Sequence, residues 1–147
     1  EEAGAYINKF FERFAGVARF MDDTRKAAKA QGYVETLFGR RLYLPEINAK
    51  NASRRQYAER TAINAPLQGT AADLIKKAMI AIDAWLAESA SDIRMVMQVH
   101  DELVFEVPAD RAEALGQEIA QRMGAVATLD VPLLAEAGVA DNWQEAH

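Results

Sequence analysis

The chain is 147 residues long and half of them are hydrophobic, enough to bury one core of ordinary domain size. It has no cysteine, which excludes disulfides and thiolate metal sites and suits the cytosol. No apolar run approaches the roughly 20 residues of a membrane helix, no signal-peptide pattern opens the chain, and the net charge of −5 counts at first sight against a nucleic-acid partner.

That charge is unevenly spread. Residues 25–60 hold nine Lys and Arg against three acids, a local balance of +6, while the remainder holds eight against nineteen, a balance of −11. A basic strip on an acidic body can hold a polyanion through phosphate contacts. Solvated faces of a helix and a loop would give the same count.

Tyr6, Ile7, Phe10, Phe11, Phe14, Val17, Phe20 and Met21 recur at three- and four-residue spacings, which predicts helices divided at Gly16. The stripe points to core or inter-helix packing rather than base stacking. Gln31-Gly32 ends the second helix, and the alternation from Tyr33 to Leu44 around Phe38-Gly39 predicts a hairpin or an extended loop that exposes Arg40 and Arg41. After a loop over Pro45 to Lys50, Asn51 or Ser53 caps a helix carrying Arg54, Arg55, Glu59 and Arg60. Arg60 and Asn64 share a face that Gln68 continues if the helix runs on. Pro66 lacks a backbone donor and disfavours the α conformation at Ala65, so a kink or stop is predicted there, with Thr70-x-x-Asp73 opening a fresh helix. Its stripe of Ala71, Leu74, Ile75, Ala78, Ile82, Trp85 and Leu86 suits the cover of a sheet, and Asp73 and Lys77 sit four apart on another face.

Two β-favouring runs, Met95 to Val99 and Leu103 to Val107, enclose His100, Asp101 and Glu102 and predict a tight hairpin. Two-residue turns usually recruit Asn or Gly, so His-Asp is a poor choice unless the side chains serve a purpose. Two acids at the tip repel one another, and a divalent cation would relieve them; polar turns are also ordinary. Strand alternation separates Asp101 from Glu102 unless the turn breaks it, leaving Asp101 as the primary ligand and Glu102 as a secondary group. Asp110-x-x-Glu113 then caps a helix with apolar positions Ala112, Leu115, Ile119, Met123 and Val126, Val131 to Ala135 predicts a strand that Pro132 confines to an edge, and residues 138–147 show no period.

A basic helix presenting Arg60, Asn64 and Gln68, followed by a hairpin with acids at its tip, suggests a duplex and a metal-dependent phosphoryl centre. In the minor groove every base pair offers acceptors at similar places, so Arg and the amides can test pair geometry without reading sequence. Q-V-H-D-E-L-V-F-E (Gln98 to Glu106), R-R-L-Y-L-P (Arg40 to Pro45) and A-E-R-T-A-I-N-A-P-L-Q-G-T-A-A-D (Ala58 to Asp73) together resemble family A DNA polymerases, and the likeness runs to the closing D-N-W-Q-E-A-H.

The resemblance implies an α+β fold: the antiparallel sheet of a polymerase palm (hairpin plus edge strand) packed by helices, with a helical fingers segment at the N-terminus. Residues 1–55 would be the C-terminal part of the fingers and 56–147 the C-terminal part of the palm. Asp101 would be a catalytic, Mg²⁺-ligating aspartate with Glu102 in support, and His100 would lie near the primer terminus. Arg60, Asn64 and Gln68 match minor-groove contacts, and Arg54 and Arg55 would be backbone contacts. The implied reaction is two-metal phosphoryl transfer on primer-template DNA and deoxynucleoside triphosphates, in the bacterial cytoplasm at the nucleoid and with no membrane partner.

The departure is an absence. No D-Y-S-Q-I-E-like stretch and no R-x-x-x-K-x-x-x-F-x-x-x-Y-G occurs, so the other metal-bridging aspartate and the nucleotide-binding helix are missing. The isolated chain is therefore expected to be inactive without the remainder of a polymerase, and to associate with it or with itself through a bared edge and apolar face. A non-catalytic duplex-binding module and a purely structural fragment remain open as alternatives.

Overall fold

A computed structural model of the chain describes residues 2–89 and 92–146. The predicted closing motif therefore ends on His147, which lies outside the described residues. The chain is α+β: α1 (Glu2–Arg13), α2 (Ala15–Gln31), β1 (Tyr33–Glu35), β2 (Arg41–Tyr43), α3 (Ala52–Ser89), β3 (Arg94–Val99), β4 (Glu102–Glu106), a 3-10 turn (Ala109–Arg111), α4 (Ala112–Gly124) and α5 (Trp143–Ala146). Two compact units divide the chain between Thr70 and Ala71, within α3.

In the first unit the break between α1 and α2 falls at Phe14, not at Gly16. Phe14 leaves the helical region at φ −113°, ψ 56°, while its N–H still reaches the Phe10 carbonyl and its own carbonyl accepts from Val17 N–H. Gly16 simply continues the first turn of α2. Gly32 ends α2 as predicted, in the left-handed region at φ 79°, with its N–H donating to Ala28 O at 2.8 Å. Glycine takes this conformation without the Cβ clash that penalises other residues.

β1 and β2 pair antiparallel with Tyr33 opposite Tyr43 and Glu35 opposite Arg41. Val34, Leu44 and Ile47 then close on Ala28 of α2 and on Ala58 and Ala62 of α3, with Ala65 packed against them. The alanines let backbones approach closely, so the core is small and dense. None of its residues lies on α1. The Phe10 ring lies 5.5 Å from that of Phe11 and 5.0 Å from that of Phe14, yet Tyr6, Ile7, Phe10 and Phe14 remain 46–80% exposed. Of the core or inter-helix packing expected of this stripe, the core packing is thus not made within the described residues, and the main packing partner of α1 is α2.

Of the kink or stop predicted at Pro66, the stop does not occur. α3 runs unbroken through it, and Thr70-x-x-Asp73 opens no new helix. Thr70 Oγ1 donates to the Pro66 carbonyl at 2.6 Å and accepts from Leu37 N–H at 2.9 Å, and Arg40 Nη2 donates to the Gly69 carbonyl at 3.0 Å. The β1–β2 turn thereby grips the helical turn beyond the proline, which offsets the lost Pro66 donor.

In the second unit, Ile82 and Leu86 of α3, Ile93, and Ile119 of α4 are buried, with Trp85, Met95, Leu103, Phe105, Val107, Leu115 and Met123 around them. Arg122 stacks over Trp85 at 4.3 Å and pairs with Glu118 at 2.5 Å. Asp110 does not make the predicted cap of α4; the 3-10 turn follows Pro108, whose carbonyl accepts Arg111 N–H, and Arg111 pairs with Asp92. Val131 to Ala135 is not a strand, since no described strand offers it a ladder partner and Pro132 has no donor to give. Residues Trp143–Ala146 form a short helix where no period was expected, its start held by Asn142 Oδ1 accepting from Glu145 N–H at 3.2 Å.

Candidate nucleic-acid interface and metal-binding turn

The interface is built on the first-unit part of α3. Asn51 Oδ1 accepts Arg54 N–H at 3.1 Å and so satisfies one of the free donors of the first turn. At about 100° per residue, Arg60, Asn64 and Gln68 fall within roughly 80° of one another, while Ala58, Ala62 and Ala65 point to the buried side. The fold needs the alanine face inward. The three polar side chains are therefore held outward, and all three are exposed.

The two neighbouring arginines differ. Arg54 is exposed and lies 3.8 Å from Glu46, a loose surface pair. Arg55 is half-buried and donates Nη1–H to the Ala49 carbonyl at 2.9 Å, which fixes the preceding loop and leaves its other donors for a ligand. Further back, Lys29 Nζ meets Glu59 Oε1 at 2.6 Å and ties α2 to α3. Hydrogen bonding to that ammonium, ahead of its charge, holds the Glu59 carboxyl below the usual carboxylate range.

Sequence reading passed over Tyr57. It is 66% exposed, projects between the directions of Asn64 and Gln68, and has the Arg60 guanidinium 6.0 Å from its ring centroid. Its spacing of three from Arg60 and seven from Asn64 was the available signal.

The candidate metal-binding turn belongs to the second unit. Val99 pairs with Glu102, so His100 and Asp101 are the two turn residues and Glu102 is the first residue of β4. His100 adopts φ 52°, the left-handed conformation that glycine or asparagine normally supplies, and the Gln98 amide donates to its carbonyl at 3.0 Å. His100 and Asp101 are exposed and Glu102 is half-buried. A bulge at Val96 separates the pairs Met95–Phe105 and Met97–Val104. Residues opposite one another share a face, so Glu102, Val104, Val99 and Met97 lie on the side away from Phe105 and Leu103.

Carboxylate oxygens at this turn are hard donors of the type Mg²⁺ prefers. Among the described residues no group of three or more His, Asp or Glu side chains is gathered to hold an ion. The turn thus fits a divalent cation in donor type and falls short of it in donor number. Beside it lies a cleft of about 1160 Å³ lined by α3, the hairpin, α4 and the segment from Leu133, with Asp101 and Glu102 on its wall.

Residues 1–145 match the family model described as DNA polymerase family A, and the chain belongs to that family. It is 59% identical to DNA polymerase I of Pseudomonas aeruginosa over all 147 residues, which are 16% of that protein. It is 46% identical to the thermostable DNA polymerase I of Thermus aquaticus over 146 residues, 99% of this chain and 17% of that one. Among solved structures it resembles the POL domain of Pol1 from M. smegmatis in complex with DNA primer-template and dNTP, with a TM-score of 0.95 and 42% identity over 99% of this chain and 26% of that one. The chain spans about a sixth of the length of these curated relatives. No helix among the described residues is long and apolar enough to cross a membrane.

Proposed function

We propose that the chain is the C-terminal fingers and palm portion of a template-directed DNA polymerase, with residues 1–55 in the fingers and 56–147 in the palm. The observation that carries this reading is the fold match at TM-score 0.95 to a POL domain bound to primer-template and dNTP, together with exposed Arg60, Asn64 and Gln68 on one face of α3. Arg60, Asn64 and Gln68 contact the minor groove near the primer end, Arg54 and Arg55 contact backbone phosphates, and His100 lies by the primer terminus. Asp101, supported by Glu102, holds Mg²⁺. When bound, the ion supplies Lewis acidity at the reacting phosphate and at the primer hydroxyl. The side chains of this chain orient the duplex and supply carboxylate oxygens; the remaining carboxylate and the nucleotide-binding groups come from the rest of a polymerase. Primer-template, deoxynucleoside triphosphates and that remainder are its partners, the nucleoid its place of work, and the bared α1 face and hairpin cleft the surfaces through which it associates.

Two carboxylates at one turn do not make a bridged metal pair, so the isolated chain does not polymerise. In the full-length protein Asp101→Asn removes nucleotide incorporation by at least about 10³-fold while duplex affinity stays within a few-fold, because the carboxylate serves the metal and not the DNA. Rapid-quench incorporation and anisotropy binding measure the two separately. Incorporation by the 147-residue chain alone, or an active Asp101→Asn enzyme, would sink the assignment.

A further inference from the structure

Resting on that reading, we propose that Tyr57 is a stacking platform for an unpaired nucleotide of the template strand, placed beyond the duplex contacts at the N-terminal end of the α3 face. The exposed face changes chemistry along its length. At one end stand Asn64 and Gln68, whose amides suit the hydrogen-bonding edges of paired bases in a minor groove. At the other end stand Arg60 and Tyr57, an exposed aromatic ring with a guanidinium 6.0 Å from its centroid. Along the helix axis Tyr57 lies about 4.5 Å beyond Arg60 and about 16 Å from Gln68.

A paired base has both of its faces covered by its neighbours in the stack, so a flat aromatic surface has little to gain from duplex. An unpaired base has a free face, and rings flanked by cations are the usual means of holding one without regard to sequence. Tyr57 is not used by the fold: it is 66% exposed, and the core contacts of its helical turn are made by Ala58. The surrounding charge agrees, with Arg54 one turn earlier also exposed and residues 25–60 carrying a balance of +6. A primer-template presents duplex on one side of the primer end and single strand on the other, so the change in chemistry along α3 gives the face a direction. The template overhang passes the Tyr57 end.

The test uses the full-length protein and two DNAs with the same primer, one blunt and one with a long 5′ template overhang carrying 2-aminopurine at its first unpaired positions. Tyr57→Ala weakens binding of the overhang substrate about tenfold, leaves blunt duplex within about twofold, and relieves quenching of the 2-aminopurine; Tyr57→Phe retains both affinity and quenching. Equal loss on both DNAs, or no loss on either, overturns the proposal. So does a loss that vanishes once Arg60 is already Ala, since Tyr57 then only positions that guanidinium. Asn64→Ala with Gln68→Ala weakens both DNAs if the duplex reading holds. If that pair changes neither DNA, the failure lies in the duplex reading.

Discussion

Gly69→Ala sets two effects of known size against each other. Alanine is favoured over glycine in a helix interior by about 1 kcal/mol, so propensity alone makes the substitution stabilising. A Cβ built at Gly69, however, meets Thr36 Cγ2 at 2.6 Å and Arg40 Nη2 at 3.4 Å. Thr36 is a short β-branched side chain with almost no exposure, fixed further by accepting Arg40 N–H at 3.2 Å. It cannot swing away as a long side chain would. Forcing a methyl into such a contact costs about 1–3 kcal/mol, and lifting the turn to make room weakens the bonds from Leu37 N–H to Thr70 and from Arg40 to Gly69, worth about 1 kcal/mol each. The net effect is a loss of about 1–2 kcal/mol, or a fall in Tm of about 3–6 °C for a chain of this size.

Thr36→Ser isolates the cause. It removes Cγ2 and keeps the hydroxyl, and the next atoms stand at 3.4 and 3.9 Å. In that background Gly69→Ala becomes neutral or stabilising by up to about 1 kcal/mol, as propensity dictates. Thermal and urea unfolding of the four proteins gives the cycle. A Gly69→Ala chain that melts above the parent with Thr36 in place would refute the close approach, and with it the account of how α3 continues past Pro66.

Gly32→Ala costs about 1 kcal/mol, since its Cβ meets no neighbour and the penalty is the left-handed φ of 79° alone; Gly32→Asn, measured by urea unfolding, costs less. Glu59→Gln loses about 0.5 kcal/mol near neutral pH, a figure discounted for the partial exposure of Lys29. Because the Glu59 pKa is depressed in the fold, its contribution is present above the ordinary value of 4.5 and disappears as pH falls through the lower folded value; a difference that grew on acidification would contradict the pairing. His100→Gly relieves the φ of 52° and stabilises the hairpin by up to about 1 kcal/mol, yet lowers incorporation in the full-length protein; unchanged incorporation would show the imidazole has no task at the primer end.

What the sequence made legible was mostly local. Gly32 ends a helix because of its own backbone freedom, Asn51 caps through a bond three residues away, and the two hairpins follow from alternation around short turns. Pro66 misled because its compensation comes from residues 36–40, which no local pattern connects to it. The Val96 bulge hid inside a run apolar on both faces, where one extra residue leaves no trace in the pattern. Val131 to Ala135 looked like a strand by composition, but a strand exists only against a partner. Asp101 and the Arg60, Asn64, Gln68 face stood out as candidates through three separated motifs; Tyr57 did not, because its exposure cannot be seen in the sequence.

The two parts of the candidate site differ in what holds them. The α3 face is backed by alanines sealed against Val34, Leu44 and Ile47, so its outward side chains inherit the rigidity of a closed core. The hairpin borders an open cleft. Leu103 and Phe105 pack against the cluster of Ile82, Leu86, Ile93 and Ile119, residues of both hairpin faces line the cleft, and Met97 and Val96 are exposed at 42% and 48%. A carboxylate that serves a metal must be held within about half an ångström of its working position, and a turn bordering an open cleft has less around it to hold it than a face sealed over a core. Material that fills the cleft would both cover this apolar surface and stiffen the turn bearing Asp101. On the proposed function, the remainder of a polymerase would then act twice, by the carboxylate it adds and by the support it gives to Asp101.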